Sequence, residues 1–64
     1  MSSKGHLVEF MQSILEAEIK AKNLYQHCLD SVSDPTCVSV IRPIRDDEEH
    51  HEALVREIID LLSG

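Results

Sequence analysis

Val32-Ser33-Asp34-Pro35-Thr36 divides this chain into two helices, and the rest of the reading works outward from that break. Asp34 suits an N-cap, because its carboxylate accepts amide protons that the first helical turn leaves free. Pro35 suits the first helical position, where the donor it lacks would go unused. Upstream, Leu7, Met11, Ile14, Glu18, Ala21, Tyr25, Cys28 and Val32 recur at alternating four- and three-residue steps, which places all of them on one helix face. Downstream, Cys37, Ile41, Ile44, Glu48, His51, Val55, Ile58 and Leu62 do the same. The expected elements are a helix over about 3–32, a turn at about 33–34 and a helix over about 35–62, within a single domain spanning 1–64. Pro43 is expected to remove one backbone bond and kink the second helix ahead of Glu48, and Ser63-Gly64 to stop it.

A chain of 64 residues with one Phe, one Tyr and no Trp fits one small all-α unit. Two helices in an antiparallel hairpin cover only part of their stripes, and the flanks are apolar as well: Phe10, Leu15, Leu24 and Leu29 on the first, Val40, Leu54, Ile59 and Leu61 on the second. Another copy is expected to cover the rest, so that two hairpins dimerise into a four-helix bundle. The formal net charge of -6, with only six Lys and Arg, argues against a nucleic-acid partner, which needs clustered cations to displace counterions. No apolar run approaches the ~20 residues of a bilayer span, and the start Met1 to His6 lacks the apolar stretch of a signal peptide. The expectation is an unexported, cytoplasmic chain with no membrane partner. The acidic balance reads first as a solvated, self-repelling surface, with the drawing of cations inward by Glu9, Glu16, Asp47 or Glu52 as the lesser alternative.

Glu18, Glu48 and His51 stand where the stripes call for Ile or Leu. Carboxylates are seldom buried unless paired or metal-bound, because an unpaired desolvated charge costs more than packing returns. Glu48 and His51 are three residues apart, so they project side by side on a helix and can offer one metal an oxygen and an imidazole nitrogen. Glu18 and Glu48 lie about equally far from the Ser33-Asp34 turn, so an antiparallel hairpin sets them at one height. A two-fold dimer then presents four Glu and two His, the ligand set of di-iron carboxylate bundles.

Plainer readings compete at each position. Glu18 can pair with Lys22, and Glu16 with Lys20, at the four-residue spacing that supports helices. Asp47 and His50 form a rival ligand pair that faces outward and reads as solvated; His6 and His27 lie off the stripe. Tyr25, two turns after Glu18, reads as a core residue whose hydroxyl bonds a ligand carboxylate. Cys28 and Cys37 flank the turn, either as small apolar fillers or as a disulfide.

Glu18-Ile19-Lys20-Ala21-Lys22-Asn23-Leu24-Tyr25, then Ser33-Asp34-Pro35, then Arg45-Asp46-Asp47-Glu48-Glu49-His50-His51 resembles the encapsulated ferritins, ferritin-like proteins held inside encapsulin nanocompartments. The resemblance spans roughly 16–62, and the wider rubrerythrin-like group shares its Glu and Glu-x-x-His elements. It implies a ferritin-like four-helix bundle and a ferroxidase, with Glu18, Glu48 and His51 as iron ligands, Tyr25 as the site tyrosine, and a di-iron centre of two iron ions formed between two chains. It also implies rings of dimers, Fe(II) and oxygen as substrates, an encapsulin shell as partner, and a place within that nanocompartment. Family members usually continue into another helix and a shell-targeting peptide, and the sequence here stops at Gly64. Two alternatives remain open: a rubrerythrin-like protein reducing peroxide at the same site, and a non-catalytic helical assembly module stabilised by a metal.

Overall fold

Asp34 caps the second helix from an extended conformation, φ -67° and ψ 118°, and its Oδ1 accepts the Thr36 N–H at 2.8 Å. Pro35 takes the first helical position, and the Val38 N–H donates to the Asp34 carbonyl at 3.0 Å. The computed structural model describes residues 3–64; the reading of Met1 and Ser2 as part of the chain's start lies outside them. Within that range α1 runs Ser3–Ser31 and α2 runs Pro35–Ser63, 29 residues each, packed on each other as a hairpin. Gly64 closes α2 by donating its N–H to the Asp60 carbonyl at 2.9 Å. Among the described residues there is no strand, and no helix is long and apolar enough to cross a membrane.

α2 is continuous through Pro43. The carbonyl that proline leaves without a donor belongs to Ser39, and both residues are exposed, so water can serve it.

The cap makes a first prediction. Asp34→Ala should cost about 1 kcal/mol, a fall in Tm of roughly 4–8 °C for a chain this small, whereas Asp34→Asn should change little because Asn caps as well. Circular-dichroism melts at one fixed protein concentration read both, and equal melting of Asp34→Ala and wild type would remove the cap from the account.

The hairpin is a rod of 52 × 14 × 12 Å in which Val55 alone is buried among the described residues. Its accessible surface is 4696 Å², against about 4100 Å² for a compact monomer of this mass. The helices therefore hold each other along a seam without enclosing a core.

That seam differs in phase from the expected stripes. On α2 the shielded positions are Val38, Ile41, Arg45, Glu48, Glu52, Val55, Ile59 and Leu62, while Cys37, Ile44, His51 and Ile58 are exposed. On α1 and just past it, the expected positions Met11, Ile14, Glu18, Ala21, Tyr25 and Val32 are shielded, joined by Leu15, Lys22 and Leu29, while Leu7 and Cys28 are exposed. Each helix is thus turned by part of a residue step from the predicted orientation. The reason is that an ion pair joins the helices on one side of the hairpin, where Lys22 reaches Glu52 at 2.6 Å.

The other side carries the displaced apolar residues. At about 100° per residue, Leu7, Phe10 and Leu24 of α1 and Val40, Ile44, Leu54, Ile58 and Leu61 of α2 all fall on the flank that also holds His51. These are the exposed large hydrophobic residues among the described residues of the hairpin.

Candidate metal centre

Glu18 sits near the middle of α1 and Glu48 near the middle of α2, so the two carboxylates meet halfway along the rod. Glu48 lies on the seam with Glu18 opposite, and His51, one turn further along α2, stands at the edge of the open face. Each of the three offers a ligand atom, and these atoms lie within 4.8 Å of one another. His51 Nδ1 is 3.4 Å from Glu18 Oε2. That oxygen is buried yet takes no hydrogen bond, although the Glu18 side chain as a whole is 22% exposed. An orphaned carboxylate oxygen costs free energy unless a cation or proton occupies its lone pairs. Two carboxylate oxygens and an imidazole nitrogen suit a first-row divalent ion such as Fe(II), Mn(II) or Zn(II), and three donors leave its remaining positions to water, substrate or further protein ligands.

Electrostatics single out the same pair. Glu48 titrates above the ordinary carboxyl range, chiefly because Glu18 shares a hydrogen bond with it; desolvation and repulsion from Glu18 act in the same direction, with Asp47 adding and His51 opposing. Glu52 titrates below that range, held there by hydrogen bonds from Lys22 and then Arg56.

The two shifts have opposite linkage. A raised folded-state pKa contributes stability that is full below the unfolded value and lost as pH rises through the folded one. A lowered pKa contributes stability above the unfolded value, lost as pH falls through the folded one. Chelator-treated Glu48→Gln should therefore be more stable than wild type at pH 7, with the advantage vanishing below the carboxyl range. Glu52→Gln should be less stable at pH 7 and converge with wild type in acid. Urea midpoints across pH measure both, and a Glu48→Gln midpoint below wild type at pH 7 would contradict the repulsive account.

The other sequence candidates separate from this cluster. Tyr25 is half-shielded on α1, and among the described residues its hydroxyl bonds neither ligand carboxylate. Asp47, His50, His6 and His27 are exposed and lie outside the cluster. Cys28 and Cys37 are free thiols and exposed, so the expectation of buried fillers is corrected: both lie toward the open flank, where α1 and α2 no longer cover each other. The expected Glu18 to Lys22 pair is replaced by Lys22 to Glu52, thirty residues apart. An open depression on the outer surface of α1, lined by Glu16, Ile19, Lys20, Asn23 and Leu24, carries none of the three ligand residues.

Sequence reasoning left out Glu52 as a structural anion. Its side chain is only 15% exposed, and it takes Lys22 Nζ on Oε1 and Arg56 Nε on Oε2 at 3.1 Å. The available signal was Glu52 four residues before Arg56 on α2. Compared with known proteins, the chain matches no family model, no curated protein and no solved structure.

Proposed function

We propose that this hairpin is half of an intersubunit di-iron ferroxidase, oxidising Fe(II) with oxygen for iron storage. The observation that carries the reading is the convergence of Glu18, Glu48 and His51, with one Glu18 oxygen buried and without a hydrogen bond. A second copy seated on the open apolar face would cover Phe10, Ile44, Ile58 and their neighbours and bring a second trio toward the first. Because the trio lies at mid-height, a two-fold axis through it overlaps the two faces along their full length. Four Glu and two His would then serve two iron ions per dimer.

In this reading Fe(II) is the substrate, and hard carboxylate oxygens favour its loss of an electron, because they stabilise Fe(III) more than Fe(II). Glu18 and Glu48 hold the ion, His51 fixes its side toward the open face, and their negative charge offsets the cations brought together. A pair of Fe(II) ions gives two electrons to one oxygen molecule, which leaves with two protons as hydrogen peroxide. The likeness over roughly 16–62 further supports placing the assembly, a dimer or ring of dimers, as cargo of an encapsulin shell in the cytoplasm.

Oxygen uptake on adding Fe(II) to the chain tests the activity. Stoichiometric uptake, absent when Zn(II) fills the site first, supports a ferroxidase. Metal binding without uptake favours the assembly module, and faster oxidation with hydrogen peroxide than with oxygen favours the peroxide-reducing reading.

A further inference from the structure

Lys22 follows Glu18 by four residues on α1, the spacing and order in which a glutamate and a lysine pair most readily on a helix. In this fold the pair does not form. The Lys22 ammonium instead crosses the seam to Glu52 Oε1 at 2.6 Å, with both side chains part-buried. Glu52 is itself held in place, since Arg56 donates Nε to its second oxygen at 3.1 Å. Lys22 stands one helical turn nearer the hairpin turn than Glu18, and Glu52 one helical turn farther from it than Glu48, so in this antiparallel pair the two residues bracket the level of the candidate metal centre and their side chains reach toward each other past it. Glu18 keeps a buried oxygen that accepts no hydrogen bond.

A lysine folded onto that oxygen would oppose a divalent cation twice, by occupying its lone pair and by placing a positive charge beside the site. From these contacts we infer that Glu52 is a sequestering residue: it holds the Lys22 ammonium off Glu18 and so keeps the Glu18 carboxylate available to a divalent cation. The inference rests on the metal reading above and adds to it a residue that touches no metal. Arg56 keeps Glu52 saturated and aligned; two turns from Glu48, it is too far along α2 to take the place of Lys22 at the centre.

Co(II) titration of the full chain, followed by absorbance, tests this with metal alone as probe. Glu52→Gln should weaken Co(II) binding roughly tenfold, the scale typical of residues that act on a metal ligand from outside it. Removing the released lysine as well, in Lys22→Gln with Glu52→Gln, should restore affinity to within about twofold of wild type. A purely mechanical brace would leave the double variant as weak as the single one or weaker, and that result overturns the inference. So does a Glu52→Gln chain that binds as wild type does. Should Glu52→Gln fail to fold, as read by circular dichroism, Lys22→Gln alone decides: affinity equal to or above wild type supports sequestration, and weaker binding overturns it. Wild-type chain that binds no Co(II) overturns the metal reading and this inference together, whereas wild-type binding with an unaffected Glu52→Gln removes this inference alone.

Discussion

His51→Ala should lower the rate of Fe(II) oxidation by at least about a hundredfold, while His50→Ala retains most of it, because loss of a metal ligand exceeds the 10–100-fold typical of residues outside the coordination shell. The contrast is sharp because the two histidines are adjacent in sequence. His51 Nδ1 lies 3.4 Å from Glu18 Oε2 and belongs to the ligand cluster; His50 is exposed and does not. The same comparison applies to their neighbours. Glu48→Ala should be as severe as His51→Ala, whereas Glu49→Ala removes a residue whose carboxylate lies 3.9 Å from Arg45 on the surface and should be mild. Initial rates of oxygen uptake at saturating Fe(II) measure all four. Equal losses at His50 and His51 would mean that oxidation occurs elsewhere on the chain.

Anaerobic Fe(II) should drive hairpins together. Each hairpin offers three ligands, too few to fill one ion's coordination sphere; in the proposed dimer six ligands serve two ions, and the count at each would rise where carboxylates such as Glu48 of each chain bridge both. Metal binding and association must then favour each other by linkage. At free Fe(II) a hundredfold above its dissociation constant, one site adds about 2.7 kcal/mol to the dimer, roughly a hundredfold in the association constant. Analytical ultracentrifugation with and without Fe(II) should show the shift, with about two metals per pair of chains, and Glu48→Ala should abolish it. The opposing possibility is specific: Phe10, Leu24, Val40 and Leu61 are each more than half exposed, and burial of that face alone can hold two copies together. An identical assembly at nanomolar protein, with metal removed, would show that apolar packing does this unaided.

The raised Glu48 and the one Glu18 oxygen without a hydrogen bond are the reason to expect the metal to matter for association. In the proposed dimer the carboxylates at mid-height would repel one another as two hairpins approach, so a metal-free dimer should bear a cost at the centre of its interface. A bound cation would reverse the sign of that contact. The Lys22 and Glu52 pair lies on the opposite side of the seam, where it aligns the helices without neutralising the ligands.

What could be read from sequence here is what short-range chemistry controls. Asp34 and Pro35 start α2 because the cap bond to Thr36 and the missing proline donor are decided within three residues, and no distant contact competes with them. The Glu48 and His51 spacing likewise needs only a helix, and Glu18 at the same height needs only the turn. Sequence alone left the rotation of each helix about its axis undecided. Glu48, Val55 and Ile41 belong equally to the stripe through Ile44, His51 and Ile58 and to the one through Arg45, Glu52 and Ile59, because consecutive stripes share every seventh residue. Hydrophobicity favours the first stripe, since it holds more apolar side chains. The tertiary structure chose the second: the long-range pair between Lys22 and Glu52 shields charged groups along the seam, and the apolar stripe is left on the open face. Periodicity marks which residues avoid water, but in a chain with more apolar surface than one neighbour can cover, only the contacts between helices decide which stripe faces which partner.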